Sequence, residues 1–219
     1  MDKEGGRVRC LILGLALAVL CLGSGRAHAA AEDDLLVFVG ERISVKRFEP
    51  ALGPNELLMD AAFKARFRIR QVLHGSYRGE VVAFEAYDHY GWPGFSGVAN
   101  SLLFVSRVGD TYYQHKYQYY PVFRTADGGW AGCGPVGEND ARARRGVAEA
   151  RPIAFAEAAF HPLREEWSSA TRRKLFARRH FRLVGDRAYC LSGTPVQELF
   201  EAKKRSSLRE DGLFGGRAY

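Results

Sequence analysis

The chain has 219 residues, of which 47% are apolar, and its 32 lysines and arginines against 25 acidic residues give a formal net charge of +7. This apolar content can bury a real core, as one domain with an appendage or as two small domains. No second apolar run of membrane-spanning length follows residue 29. The mildly basic balance suits contact with anionic polymers or lipid headgroups, although a merely soluble basic surface is the favoured explanation.

Residues 1–29 have the pattern of a secretory signal peptide. Lys3, Arg7 and Arg9 precede the apolar run "CLILGLALAVLCL", and small residues follow it up to an expected cleavage near Ala29. The apolar run is too short for a stable membrane anchor, which is the alternative reading. Cleavage removes four basic and two acidic residues and leaves a net charge of +5. We therefore predict a secreted or periplasmic protein.

Two cysteines remain after this cleavage, Cys133 and Cys190. Export places them in a compartment that permits oxidation, and each has only the other as an intramolecular partner. We predict that they form a disulfide. A reactive thiol pair is the alternative, but the two residues are far apart in the sequence and neither has an obvious activating helix terminus.

Five strands are predicted before residue 126. The segment "FKARFRIR" alternates apolar and basic residues throughout, so one of its faces should be buried. Gly109 and Asp110 form a two-residue loop that suits a tight hairpin, and Gly40 marks a bend in the first strand. The predicted strands cover residues 34–48, 63–70, 80–87, 101–108 and 111–125, within a β-domain at 34–133.

The remaining chain has a different periodicity. Residues 134–150 have linker composition, and residues 151–214 are predicted to form a helix, a hairpin around Gly185 and a second helix. The first helix is expected within 161–179, with Leu163, Trp167, Thr171 and Leu175 on one side. The second is expected to begin with Thr194 as its cap, Pro195 at the first position and Gln197 completing a capping box, and to dock through Val196, Leu199 and Phe200.

Four segments resemble the netrin-like domain, which belongs to a superfamily shared with tissue inhibitors of metalloproteinases. They are "VFVGERISV", "FKARFRIRQVLHG", "VVAFEAY" and "SLLFVSRVGD", within residues 34–125. The resemblance implies a five-stranded OB-type barrel, so that the expected fold is mainly β with a small C-terminal α+β appendage. The inhibitory chemistry of the family does not carry over, because the expected mature N-terminus lacks the cysteine that binds the zinc of the target.

The loop "EAYDHYGWPGF" holds the densest mixture of titratable and aromatic residues. Asp88, His89 and Trp92 are candidate ligand-binding residues here. A hydrolase that uses Glu85, Asp88 and His89 is the alternative function, and a cleft joining them to His115 would favour it. No catalytic motif supports that alternative, and a loop turned by glycines and a proline explains the same residues. We therefore predict no catalytic residues, metal or cofactor.

The segment "YYQHKYQYY", residues 112–120, is predicted to be a barrel strand. Strict alternation would bury Tyr113, Tyr117 and Tyr119 and leave Tyr112 and Tyr120 exposed as two contact points for an extended ligand. Stacking of aromatic rings on a glycan or peptide is one interpretation of these tyrosines. Cross-strand packing with the hydroxyl groups in water is the other.

Two groups of basic residues complete the sequence-based expectations. Export makes nucleic acid an improbable partner for the stripe Lys64, Arg66, Arg68 and Arg70, which is expected to pair with acids on neighbouring strands. Arg172, Arg173, Arg178 and Arg179 near the end of the first C-terminal helix suit an anionic envelope surface, or form a solvated helix face. The expected function is an exported, non-catalytic module that binds a protein, peptide or glycan.

Overall fold

The structure, a computed structural model, describes residues 32–53, 57–136 and 149–215. The predicted signal peptide and most of the predicted linker lie outside these ranges. Within them, no helix is both long enough and apolar enough to cross a membrane.

The fold is mainly β, as predicted, and the five predicted strands are present. The strands are β1 (Leu35–Phe48), β2 (Ala61–His74), β3 (Val81–Asp88), β4 (Asn100–Val108), β5 (Thr111–Arg124), β6 (Trp130–Cys133), β7 (Arg151–Pro152), β8 (Phe160–Pro162), β9 (Phe181–Val184), β10 (Arg187–Cys190) and β11 (Ser192–Pro195). The helices are α1 (Ser169–Leu175), α2 (Val196–Arg205) and α3 (Ser207–Glu210), with a 3₁₀ turn at Gly94–Gly97.

One large sheet contains the first five strands. They pair antiparallel in the order β3-β2-β1-β4-β5. β3 also pairs with β5 in parallel, with Phe84 opposite Tyr112 and Glu85 opposite Tyr113. This second pairing partly closes the sheet into a ring.

The alternation in β2 determines which of its faces lines the interior of the ring. Phe63, Ala65 and Phe67 are buried, whereas the basic residues between them are exposed. On the outer face, Arg68 and Arg70 both pair with Glu41 of β1, as expected for a solvated stripe. The register of β1 against β2 shifts beside Gly40, where a Cβ atom would lie 2.7 Å from the Phe38 ring. Only glycine fits this position without a shift of its neighbours.

A second core lies on the opposite face of β1 and β4. Leu35, Val37 and Val39 point toward it, so the first half of β1 is buried on both faces. Helices α2 and α3 cover this core, and the predicted docking residues of α2 are all buried within it: Val196, Leu199 and Phe200. The C-terminal helices therefore share a hydrophobic core with the main sheet.

The predicted disulfide is confirmed. Cys133 ends β6 and Cys190 ends β10, and their Cα atoms are 5.5 Å apart. The bond connects the main sheet, which continues through β6, β11 and β7, to a separate sheet of order β8-β10-β9. The predicted hairpin around Gly185 forms β9 and β10 of this small sheet.

Two helix predictions are wrong in detail. The helix expected within 161–179 is limited to α1, because residues 160–162 pair with β10 and the Leu163 amide donates to the Asp186 carbonyl. Ser168 caps α1 by accepting a hydrogen bond from the Thr171 amide at 3.1 Å. Thr194 does not cap α2: it lies in β11, and its hydroxyl donates to the Gly134 carbonyl at 3.0 Å. In both cases tertiary β-pairing takes precedence over a local helical signal.

Candidate functional site

The predicted faces of β5 are wrong for four of its five tyrosines; Tyr119 is partly buried and packs against the interior of the ring. Tyr113 and Tyr117 are exposed rather than buried, whereas Tyr112 and Tyr120 are half-buried rather than exposed. Tyr112 packs against the interior of the ring, and Tyr120 packs against the second core. Tyr112 and Tyr120 therefore do not present two exposed contact points on one face.

A large bulge in β5 explains why Tyr112 and Tyr120 lie on opposite faces, whereas Tyr113 precedes the bulge and is exposed in regular register with Ser106. Gln114 lies opposite Val105 and Tyr119 lies opposite Leu103, so β5 advances five residues while β4 advances two. β5 therefore has three more residues than β4 across the bulge. Because three is an odd number, side chains beyond the bulge point to the face opposite to that given by simple alternation. Tyr117 lies within the bulge and has a positive φ of 64°.

The bulge lies beside an exposed cluster of aromatic and apolar side chains, which we call the aromatic patch. It comprises Tyr90 (87% exposed), Trp92 (61%) and Tyr117 (45%), together with Leu57 and Met59. The Tyr90 and Tyr117 ring centroids are 5.9 Å apart, and Trp92 rests on buried Phe63 at 4.9 Å. Leu57 and Met59 lie within the three residues before Asp60, whose carboxylate contacts Lys116 and His89.

Asp60 connects the three segments that form this end of the ring. Its carboxylate accepts a hydrogen bond from the Lys116 Nζ at 2.7 Å and lies 3.5 Å from the His89 Nδ1. This hydrogen bond to Asp60 raises the pKa of Lys116. The Lys116 ammonium also lies 5.2 Å from the centre of the Tyr117 ring. The β1–β2 loop, the β3–β4 loop and the bulge thus support one another beneath the aromatic patch.

The candidate residues of the loop after β3 have separate partners. Asp88 is nearly buried and accepts the Tyr90 amide at 2.8 Å, which fixes the turn that carries Tyr90 outward. Burial, and secondarily the charge of Asp88, raise the pKa of Tyr119. Glu85 instead accepts a hydrogen bond from the Tyr87 hydroxyl at 2.8 Å. Burial of Tyr87 and this hydrogen bond raise the pKa of Tyr87 to about 12. Asp88, His89 and Trp92 are thus brought to one end of the fold, but Glu85 bonds elsewhere.

A hydrogen-bonded chain that the sequence analysis did not identify connects three distant residues. The Ser106 hydroxyl lies 2.8 Å from His115 Nε2, and His115 Nδ1 lies 2.9 Å from the Asp211 carboxylate. A neutral imidazole that donates from Nδ1 to Asp211 can accept from Ser106 at Nε2. The His115 side chain is largely buried, whereas Asp211 is exposed. Since Asp211 is far from β5 in the sequence, no local pattern predicts this contact.

No site for a metal is found in the described ranges: they contain no group of three or more His, Cys, Asp or Glu side chains arranged to hold an ion. No family model, curated protein or solved structure matches this chain. The functional assignment therefore depends on the chemistry of the surfaces described above.

Proposed function

We propose that the protein is an exported, non-catalytic binding module that holds a protein partner at the aromatic patch. The proposed scaffold is an OB-type barrel of the netrin-like kind. The closed order of pairing, β1-β2-β3-β5-β4 and back to β1, supports this proposal, because a partly open five-stranded barrel has such a ring. β1 pairs with both β2 and β4, and its register against β2 shifts beside Gly40.

The exposure of the aromatic patch is the observation that carries the proposal. Tyr, Trp and Met are enriched at the buried centres of protein interfaces, and a cluster of exposed large apolar side chains on a folded domain commonly marks such a surface. Leu57 and Met59 favour a protein over a glycan, because they offer apolar contact without hydrogen-bonding groups. The hydrogen bonds of Asp60 and Asp88 hold the loops in place before a partner arrives.

The geometry of the β3–β4 loop supports a binding role rather than hydrolysis there. Glu85, Asp88 and His89 hydrogen-bond or pair with three different groups. Three cavities of the described structure, with volumes of about 820, 530 and 790 Å³, are lined by none of these residues and not by His115. A cleft joining the loop to His115 would have been expected of an enzyme that used it.

Site-specific crosslinking tests the aromatic patch. A photoreactive p-benzoylphenylalanine in place of Tyr90, in cells that express the full chain, should yield a discrete protein adduct on irradiation. The same residue in place of Val108, which is exposed at the β4–β5 turn, is the matched control and should yield none. Trp92→Ala combined with Tyr117→Ala should reduce the adduct from position 90 by roughly tenfold or more, because aromatic anchors dominate interface energies.

Two outcomes of this experiment would contradict the proposal. Equal adducts from positions 90 and 108 would mean that the crosslinks are non-specific. An adduct from position 90 that digests with glycosidases and contains no protein would instead identify a glycan as the ligand.

Acyl hydrolysis is a second candidate function, favoured by the Ser106–His115–Asp211 chain. The order of contacts is that of a nucleophile, its general base and the carboxylate that orients the base. His115 could accept the proton of Ser106 as the serine oxygen attacked a carbonyl carbon. However, Ser106 lies in a strand paired on both sides, opposite Leu35 and Tyr113, so substrate access is poor.

Labelling with a fluorophosphonate probe tests this second function. An activated serine forms a covalent adduct with the probe, so hydrolysis predicts labelling at Ser106 that Ser106→Ala abolishes and Asp211→Asn reduces. Ser101→Ala is the matched control, since Ser101 lies in the same strand without a hydrogen-bond partner for its hydroxyl. No labelling of the folded wild-type protein would eliminate this function and leave the chain as a link between the C-terminal segment and the sheet.

A further inference from the structure

A basic cavity opens on the small sheet, away from the aromatic patch. It has a volume of about 530 Å³ and lies between α1 and the β9–β10 hairpin. Four arginines line it: Arg172, Arg173, Arg178 and Arg182. Three of these are exposed, and no carboxylate is among the lining residues. Arg179, which the sequence analysis grouped with them, instead donates to the His180 ring at 2.9 Å.

The positive charge of this cavity is not neutralised within the described parts of the protein. None of its four arginines forms an ion pair there. Arg172 donates to the carbonyls of Trp167 and Arg164, and the Arg182 guanidinium lies 5.9 Å from the centre of the Tyr189 ring. By contrast, arginines elsewhere, such as Arg107 and Arg151, have carboxylate partners. Concentrated guanidinium groups without acidic partners suit phosphate recognition.

The floor and rim of the cavity are apolar. Phe176 and Phe181 form the buried floor, with their ring centroids 5.1 Å apart. Leu183 and Leu191 line the cavity and are exposed, and Val184, the last residue of β9, is exposed at the tip of the hairpin. A small water-soluble anion would gain no favourable contact from these exposed apolar side chains. A bilayer surface matches both features, because the arginines meet headgroup phosphates while the apolar side chains enter the acyl boundary.

We propose that this face docks on a membrane surface rich in anionic phospholipid, with the headgroup phosphates in the arginine cavity and Leu183, Val184 and Leu191 in contact with the lipid. The interaction is peripheral. It involves residues other than the aromatic patch, so the protein would present that patch to a partner while associated with the membrane.

Vesicle co-sedimentation of the oxidised mature chain tests the proposal. Binding to phosphatidylcholine vesicles that contain roughly a third phosphatidylglycerol should be at least about tenfold tighter than to phosphatidylcholine alone. Arg173→Ala, Arg178→Ala and Arg182→Ala together should abolish most of this difference. The matched control removes the same charge from exposed residues of β1 and β2 through Lys46→Ala, Arg47→Ala and Arg66→Ala, and should weaken binding less than about threefold.

Further variants separate a bilayer from a soluble anion. Leu183→Ser with Val184→Ser should weaken vesicle binding, and inorganic phosphate should not compete beyond the effect of an equal ionic strength of chloride. Equal losses from the two charge variants, unchanged binding of the serine variant, or displacement by inorganic phosphate would each overturn the proposal. If the triple variant does not fold, Arg173→Ala against Lys46→Ala gives the same comparison on a smaller scale.

Discussion

Replacing Phe200 by alanine is expected to lower the free energy of unfolding by about 3–5 kcal/mol. The Phe200 side chain is buried between α2 and the main sheet, with its ring centroid 6.2 Å from Phe104 of β4 and 5.8 Å from His74 of β2. Truncation removes these contacts and leaves a cavity that the paired strands cannot close. Urea denaturation of the wild-type protein and the variant measures the change.

The same experiment tests whether the C-terminal helices fold together with the sheet. Because the helices complete the second core, far-ultraviolet circular dichroism and tryptophan fluorescence should report one transition, displaced to lower urea by the same amount. Leu175→Ala is the matched control. Leu175 lies on α1 and is exposed, so this substitution should change the free energy of unfolding by about 0.5 kcal/mol or less. Two separate transitions, with the larger one unaffected by Phe200→Ala, would contradict a shared core.

Removal of the disulfide is the second large effect. Cys133→Ala with Cys190→Ala should lower the free energy of unfolding by about 4 kcal/mol, because the bond closes a long loop and restricts the unfolded chain. The two cysteines are 57 residues apart in the sequence, and the bond joins the main sheet to the small sheet. Urea denaturation under non-reducing conditions compares the two proteins.

Reduction of the wild-type protein provides the control. Cys133 is buried, so the alanine variant also loses side-chain packing, whereas the reduced wild type loses only the covalent bond. The two should therefore be destabilised similarly, with the alanine variant slightly less stable. A loss below about 1 kcal/mol in the reduced protein would show that the bond contributes little, for example because the unfolded chain is already compact.

Much of the strand structure could be predicted from local patterns. The alternation of β2 identified its buried face, and the Gly109–Asp110 turn positioned β4 and β5. Such patterns succeed where each side chain's environment follows from its own position in a strand. The helix expected within 161–179 failed for the converse reason: β8 pairs with β10, which follows it by more than twenty residues.

The candidate site was only partly predictable. Asp88, His89 and Trp92 were identified because they are close in sequence, but Tyr117, Leu57 and Met59 of the aromatic patch come from two other segments. Tyr117 lies within the bulge, where it has a positive φ, and the position of such a bulge depends on how β4 pairs with β5. Nothing in the sequence around Leu57 and Met59 indicated a binding surface, because isolated apolar residues in a loop are common on protein surfaces.

The parallel contact between β3 and β5 is short. It consists of two residue pairs, whereas β2 and β3 pair along eight positions. The ring of strands can therefore open locally at this β3–β5 contact, which we call the seam, with little loss of strand pairing. Tyr90 follows β3 on one side of the seam, and Tyr117 lies in β5 on the other. A partner that contacts both tyrosine side chains would bridge the two strands. Binding of the partner would then favour closure of the sheet, and closure of the sheet would raise the affinity for the partner.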